Sequence, residues 1–364
     1  MGRCFNITGS CFPELHYMVD ITDRLAEIKE MVRKGDYFII NRGRQYGKTT
    51  TLRALEGYLS DEYYVAGMDF QRQMSAAKFK DEYTFSSAFA RAFITSFKRN
   101  NCSEQALNAL ETLKQSITPE YDLVELFNNI SEFCGAIDKP VVLLIDEVDQ
   151  PSTNQVFLDF LAQLRGYYLD RLYSDTFKSV ILAGVYDIRN LKLKIRDESE
   201  HKHNSPWNIA VEFNVNMSLT VDGIAGMLDD YKKDHDVVMN TKFIAKLIYD
   251  YTSGYPVLVS GICKLIDEEL HEWNEQGIIK AVGMLLSSDL PFFDSIIKKL
   301  DKSPEMRKSL YELLNEGEIL YNPDDFSVRL LLILGIAKIA NGEVVIANRI
   351  LETKLSKLPM AAGV

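Results

Sequence analysis

Residues 37–55 read YFIINRGRQYGKTTTLRAL, an apolar run, a basic glycine-bearing loop and a helix-forming stretch in immediate succession. A short apolar run between Gly35 and a loop reads as a buried strand, and TTLRALEGYLS reads as the helix after it. The next apolar run, YYVAGMDF at 63–70, is a second strand. It closes a strand–loop–helix–strand unit, the crossover that parallel strands require. The loop RGRQYGKTT (42–50) ends in Gly47, Lys48 and Thr49. Anionic phosphates are held by converging backbone N–H groups, a lysine that reaches the terminal phosphates and a hydroxyl at the helix start that holds magnesium. Arg42 stands where the GxxxxGK[ST] pattern has its first glycine, and Gly43 follows one place later. A solvated basic turn is the plain alternative.

Farther along the chain, VVLLIDEVD at 141–149 is an apolar strand that ends in acids. In open α/β sheets ligands bind beyond the carboxyl ends of the strands, where Asp146 would complete a magnesium shell and Glu147 would orient an attacking water. A further strand, SVILAGV, runs into YDIRN; Tyr186 is the polar group nearest its tip, followed by Asp187 and Arg189. Tyr186 contacts a terminal phosphate or water in one reading and is simply loop in the other. Arg165 and Arg171, on a helix expected near 154–173, are either arginine fingers across a subunit interface or surface ion-pair partners. The closest histidines, His201 and His203, sit in a polar loop without metal-site spacing.

Strands alternating with helices over residues 1–215 predict an α/β, three-layer P-loop sandwich with a mostly parallel sheet. Segment 74–134 reads as helices, with FSSAFARAFITSF more fitting for a helix core than for base stacking. From Thr220 to about Trp273, within a domain set at 216–285, only helical periodicity appears, broken by SGYP at 253–256, where Pro256 opens a new helix. This predicts a helical lid. Residues 286–364 combine helices with a hairpin signalled by Asn341–Gly342, which fits a winged-helix-like domain.

The 364 residues carry 52 acids against 41 bases, a net charge of −11, so the chain as a whole is not a glove for nucleic acid or anionic lipid. Against that trend, Arg42, Arg44, Lys48 and Arg53 stand between Asp36 and Glu56 with no acid among them. Five scattered cysteines, with no CxxC pair, indicate neither a disulfide framework nor a zinc site, and the expected compartment is the reducing cytoplasm. No signal peptide or membrane span is legible, so no membrane partner is expected.

These motifs, together with HYMVD at 16–20, SVILAGVYDIRNLK, NSPWNIA at 204–210 and SGYP, resemble the bacterial AAA-like ATPases of the STAND class over nearly the whole chain. The resemblance implies that Arg42 and Arg44 flank the phosphate loop as a family trait, and that Arg42, Gly43, Arg44, Gln45, Tyr46, Gly47, Lys48, Thr49 and Thr50 line the nucleotide. It implies further that Tyr17, in the segment up to Asp20, contacts the base and that Pro256 senses nucleotide from the lid. Relatives of this kind often continue into a nuclease-like domain of the PD-(D/E)XK type. Segment 286–364 contains no D…(D/E)xK strand pair, so nuclease chemistry is not expected of it.

The expected function is an ATP- and Mg²⁺-binding conformational switch with slow hydrolysis: Lys48 on the β/γ-phosphates, Thr49 and Asp146 on magnesium, Glu147 on water. The alternatives are a DNA-binding regulator that uses the winged helix and a nucleotide-binding scaffold without turnover. Residues 286–364 carry ten bases and eleven acids, which disfavours nucleic acid and favours a protein partner or self-association.

Overall fold

The computed structural model of the chain describes residues 2–149, 151, 154–185 and 207–358. It forms two compact units, one of Asp23–Asn41 and Thr51–Val215, the other of Met1–Thr22, Arg42–Thr50 and Asn216–Val364.

The first unit is built on a four-stranded parallel sheet of β1 (Tyr37–Asn41), β2 (Tyr64–Asp69), β3 (Val141–Asp146) and β4 (Ser179–Gly184), in the order β1-β4-β3-β2. The strands are buried almost end to end. That burial is what their unbroken apolar runs require, because alternation would place polar side chains in the layers on either face. Beyond β1, the returning chain adds a parallel bridge between Phe38 and Val211, and the Val211 N–H donates to the Tyr37 carbonyl at 2.8 Å.

The helices in chain order are α1 (Thr22–Lys34), α2 (Lys48–Leu59), α3 (Phe70–Gln73), α4 (Glu82–Phe97), α5 (Glu104–Gln115), α6 (Leu123–Gly135) and α7 (Gln155–Leu169). Segment 74–134 is thus helical, as its patterning predicts. Asp81, Ser103, Asp122 and Asn154 cap α4, α5, α6 and α7 by accepting backbone N–H bonds in the first turn, each worth about 1 kcal/mol. On α4, Phe85, Phe89, Phe93 and Phe97 recur at helical spacing and are fully buried among Phe133, Phe157 and Phe160, so this aromatic segment is core. Helix α7 stops at Leu169, short of residue 173. The chain tightens there, with Tyr173 and Ser174 both donating to the Asp170 carbonyl, and Leu172 and Tyr173 are 85% and 90% exposed, so no apolar face carries the helix further.

The second unit is mainly helical: α8 (Val221–His235), α9 (Thr241–Thr252), α10 (Pro256–Leu265), α11 (Glu275–Ser287), α12 (Pro291–Asp301), α13 (Pro304–Glu316), α14 (Phe326–Ile333) and α15 (Arg349–Leu355). It also contains an antiparallel sheet of β5 (Glu318–Leu320), β6 (Ala337–Ala340) and β7 (Glu343–Ile346), in the order β5-β7-β6. The hairpin β6–β7 turns at Asn341 and Gly342, both at positive φ (54° and 88°), the geometry the Asn-Gly pair favours. Between α9 and α10, a Cβ on Gly254 (φ 73°) would stand 2.0 Å from the Leu219 carbonyl oxygen, so only glycine allows the Leu219 N–H to reach the Gly254 carbonyl.

The N-terminal segment is tied to α8 in the same unit. Arg3 pairs with Asp234 at 2.8 Å, and the Tyr17 hydroxyl donates to the same carboxylate at 2.9 Å. The hydrogen bond from Arg3, with that from Tyr17, holds the Asp234 carboxyl below its usual range. Among the described residues no helix is long and apolar enough to cross a membrane.

Because the folded pKa of Asp234 is depressed, its contribution is present above the unfolded carboxylate value and is lost as pH falls through the folded one. Asp234→Asn should therefore lower the melting temperature at about pH 7, and the deficit should close only as pH falls through the depressed folded pKa of Asp234 and the wild-type carboxyl also becomes neutral. Thermal melts across that range check it; a deficit of constant size would show that charge at Asp234 is not what holds the segment.

Candidate functional site

Strand β1 ends at Asn41, and the chain passes through 42–47 into α2, whose first residue is Lys48. Lys48 is only 7% exposed, yet its ammonium donates to the carbonyls of Arg42 at 2.9 Å and Gly43 at 3.1 Å. A buried cation needs such acceptors, and here the loop that precedes the lysine provides them by curling around it. The curl depends on two left-handed residues, Gln45 (φ 56°) and Gly47 (φ 83°). Positive φ at alternate positions turns successive N–H groups toward one side of a loop, the arrangement that forms an anion-binding concavity. For the non-glycine Gln45 it costs about 1–2 kcal/mol, and the side chain is anchored by a bond to the Ile7 carbonyl at 3.3 Å.

The second unit packs closely on this loop, which belongs to it. A Cβ on Gly43 would lie 2.3 Å from the Leu334 carbonyl oxygen. The Tyr255 hydroxyl donates to the Arg44 carbonyl at 3.1 Å, and its ring meets Tyr46 edge-on at 4.4 Å. Burial pushes the Tyr255 hydroxyl well above its ordinary pKa, so it stays a donor. Tyr46 in turn bonds Ser218 at 2.9 Å. Pro256 opens α10 beside the loop, its Cγ 4.0 Å from where Gly47 would carry a Cβ. Thr49 is half-buried in the first turn of α2, and the Thr50 hydroxyl accepts the Cys11 N–H at 3.2 Å. Arg44 and Arg53 are exposed and Arg42 is half-buried.

Tyr17 is 3% exposed and lies within an aromatic cluster, its ring 5.0 Å from Phe5 and 5.2 Å from Tyr231, with the Arg3 guanidinium 4.7 Å from its centroid. Its hydroxyl touches both Asp234 and the His235 Nε2, at 3.1 Å, and burial with the Asp234 bond pushes its pKa up to about 12.

In the first unit the carboxyl edge of the sheet reads Asn41, Gly184, Asp146, Asp69 across the paired strands. Asp146 is 6% exposed, and its Oδ1 accepts the N–H of Glu147 at 2.9 Å. Glu147 is half-buried and left-handed (φ 57°), a strained turn for a residue with a Cβ. Tyr186, Asp187, Arg189, His201 and His203 lie outside the described residues. Arg165 is half-buried on α7, while Arg171 lies past its end, bonded to the Tyr168 carbonyl at 2.6 Å and stacked on that ring.

Sequence reasoning did not single out Asp149 or Tyr255. Asp149 was legible as the third acid of VVLLIDEVD and Tyr255 as the aromatic of SGYP, but neither carries a signal of its partner in its own neighbourhood.

Residues 14–193 match the family model AAA-ATPase_like, described as "Predicted AAA-ATPase", a span that contains both the loop and the acids of β3. No curated protein matches the chain. Among solved structures it is similar to the Walker-type ATPase PABY2304 of Pyrococcus abyssi, at 12% identity and a TM-score of 0.64, covering 97% of this chain and 99% of that one. The Aeropyrum pernix ORC2 protein is matched at 13% identity and a TM-score of 0.45, over 92% of each chain. The RuvB Holliday junction branch migration motor of Thermotoga maritima is matched at 13% and 0.43, over 97% of this chain and 99% of that one. The first of these shows the fold, a P-loop ATPase fold with a parallel sheet.

Tyr255→Phe removes the bond to the Arg44 carbonyl without changing the ring packing, and should cost about 1 kcal/mol of stability. Urea unfolding of the two forms measures it. An unchanged midpoint would mean that the loop carbonyl gains nothing from the hydroxyl.

Proposed function

We propose that the chain is an AAA-like ATP-binding protein of the STAND type, dependent on Mg²⁺, in which slow hydrolysis drives a conformational switch. The observation that carries this reading is the loop itself: a buried lysine at the start of a helix, wrapped by a left-handed turn that follows a buried parallel strand. The match of residues 14–193 to the AAA-ATPase-like family supports it independently.

In this reading Lys48 binds the β- and γ-phosphates, and the amides of 43–50 with Arg42 and Arg44 complete the anion shell. Thr49 and Asp146 hold the magnesium; a hydroxyl and a buried carboxylate are the hard oxygen donors that this ion takes alongside phosphate. The bound metal would neutralise charge on the transferring phosphoryl group. Glu147 orients the attacking water and accepts its proton. Tyr17 and Pro256 are assigned to nucleotide contacts on the resemblance and Tyr186 on its place after the strand SVILAGV, and Tyr17, buried against α8, would need its cluster to open before it met a base.

We assign 1–215 to the ATPase core, 216–285 to a helical lid and 286–364 to a winged-helix-like domain. The element order α13, β5, α14, β6, β7 with its antiparallel sheet supports the last assignment. Its ten bases and eleven acids favour a protein partner or self-association over nucleic acid. Five free thiols suit a reducing, cytoplasmic setting.

Lys48→Ala should weaken ATP binding by about ten- to a hundredfold, the worth of a charge-assisted contact to phosphate; wild-type affinity in that variant would contradict the assignment. Glu147→Gln should bind ATP normally and lose Mg²⁺-dependent phosphate release. If the wild-type chain releases no phosphate although it binds ATP, it is a nucleotide-binding scaffold and not an ATPase.

A further inference from the structure

The turn that carries Glu147 is strained, and the residue two places on is built into the neighbouring strand. From Asp146 the chain leaves β3 through left-handed Glu147 and crosses the end of β4. There the Val148 N–H donates to the Ala183 carbonyl at 3.2 Å, and the Val148 side chain is fully buried. Asp149 follows with both carboxylate oxygens on a single donor, the Val185 N–H, at 2.8 and 2.7 Å. The approach is so close that a Cβ on Gly184 would stand 2.7 Å from Asp149 Oδ1 and 3.0 Å from Val148 Cγ2.

Glu147 is therefore held from both sides. Its own N–H is taken by Asp146 Oδ1, and the two residues after it are hooked to β4. A left-handed conformation at a residue with a Cβ persists only where the surroundings over-determine it, and a carboxylate on a backbone N–H offsets a cost of that order. We propose that Asp149 is the positioning residue that locks Glu147 in its left-handed turn across the end of β4, and so sets where the Glu147 carboxylate points during hydrolysis. This rests on the reading of Glu147 as the group that orients water. In this role Asp149 acts on no reacting atom itself. It acts through the backbone, and Gly184 is its structural counterpart, because any side chain there displaces it.

A purely structural role would lower stability and leave turnover per folded molecule intact. A positioning role separates kcat from KM, because phosphate binding is assigned to the loop at 42–50. In the intact chain, Asp149→Ala should lower kcat for ATP by about ten- to a hundredfold with KM within about twofold. Asp149→Asn keeps one acceptor oxygen and should fall between that variant and wild type. Gly184→Ala, which keeps the Asp149 carboxylate but displaces it from its seat, should lower kcat in the same direction. In the nucleotide-free protein, hydrogen exchange at Val185 and across 146–149 should accelerate about tenfold in Asp149→Ala, with distant peptides unchanged. Wild-type kcat in Asp149→Ala, or unaltered exchange at Val185, overturns the proposal. If the wild-type chain turns over no ATP, the reading of Glu147 fails on its own, and the exchange measurement still decides whether Asp149 holds the turn.

Discussion

The parallel sheet is buried along nearly the whole of each strand, so a polar side chain on it can appear only where a strand ends. This constraint organises the first unit. It places Asp69, Asp146 and Asn41 together on one edge, and it forces the chain beyond β3 to leave the sheet at once. The interposition of β4 between β1 and β3 then gives that exit its support, because the loop after Asp146 finds backbone partners at Ala183 and Val185. The strained backbone at Glu147 follows from this geometry.

The loop at 42–47 solves a different problem, the burial of an ammonium. Left unpaired, such a charge would cost several kcal/mol or lose its proton. The carbonyls of Arg42 and Gly43 satisfy it, and the left-handed residues that bring them round also turn the amides of the same loop together. Helix α10 and the turn after α14, in the same unit, meet this loop through Tyr255, Pro256 and the Leu334 carbonyl. A change in what the loop holds would thus be felt directly by α10 and by the turn after α14.

Most of this architecture was legible in the sequence because the signals are local. The four strands announce themselves as unbroken apolar runs and the β6–β7 turn as Asn341–Gly342. What escaped was non-local or too short. Strand β5 is three residues long, with Leu320 81% exposed, so it shows no alternation to read. The end of α7 depends on where the apolar face stops being covered. Asp149 and Tyr255 acquire meaning only through partners, one on the strand inserted beside β3 and the other at the Arg44 carbonyl, 211 residues away.

If the chain recognises a polyphosphate through its loop, affinity must reside in the β- and γ-phosphates and little of it in the nucleoside. Competition against a fluorescent ATP analogue bound to the intact chain tests this most directly. ATP and ADP should displace the analogue and AMP should not. Displacement by AMP as readily as by ATP, or no binding of the analogue at all, would contradict it.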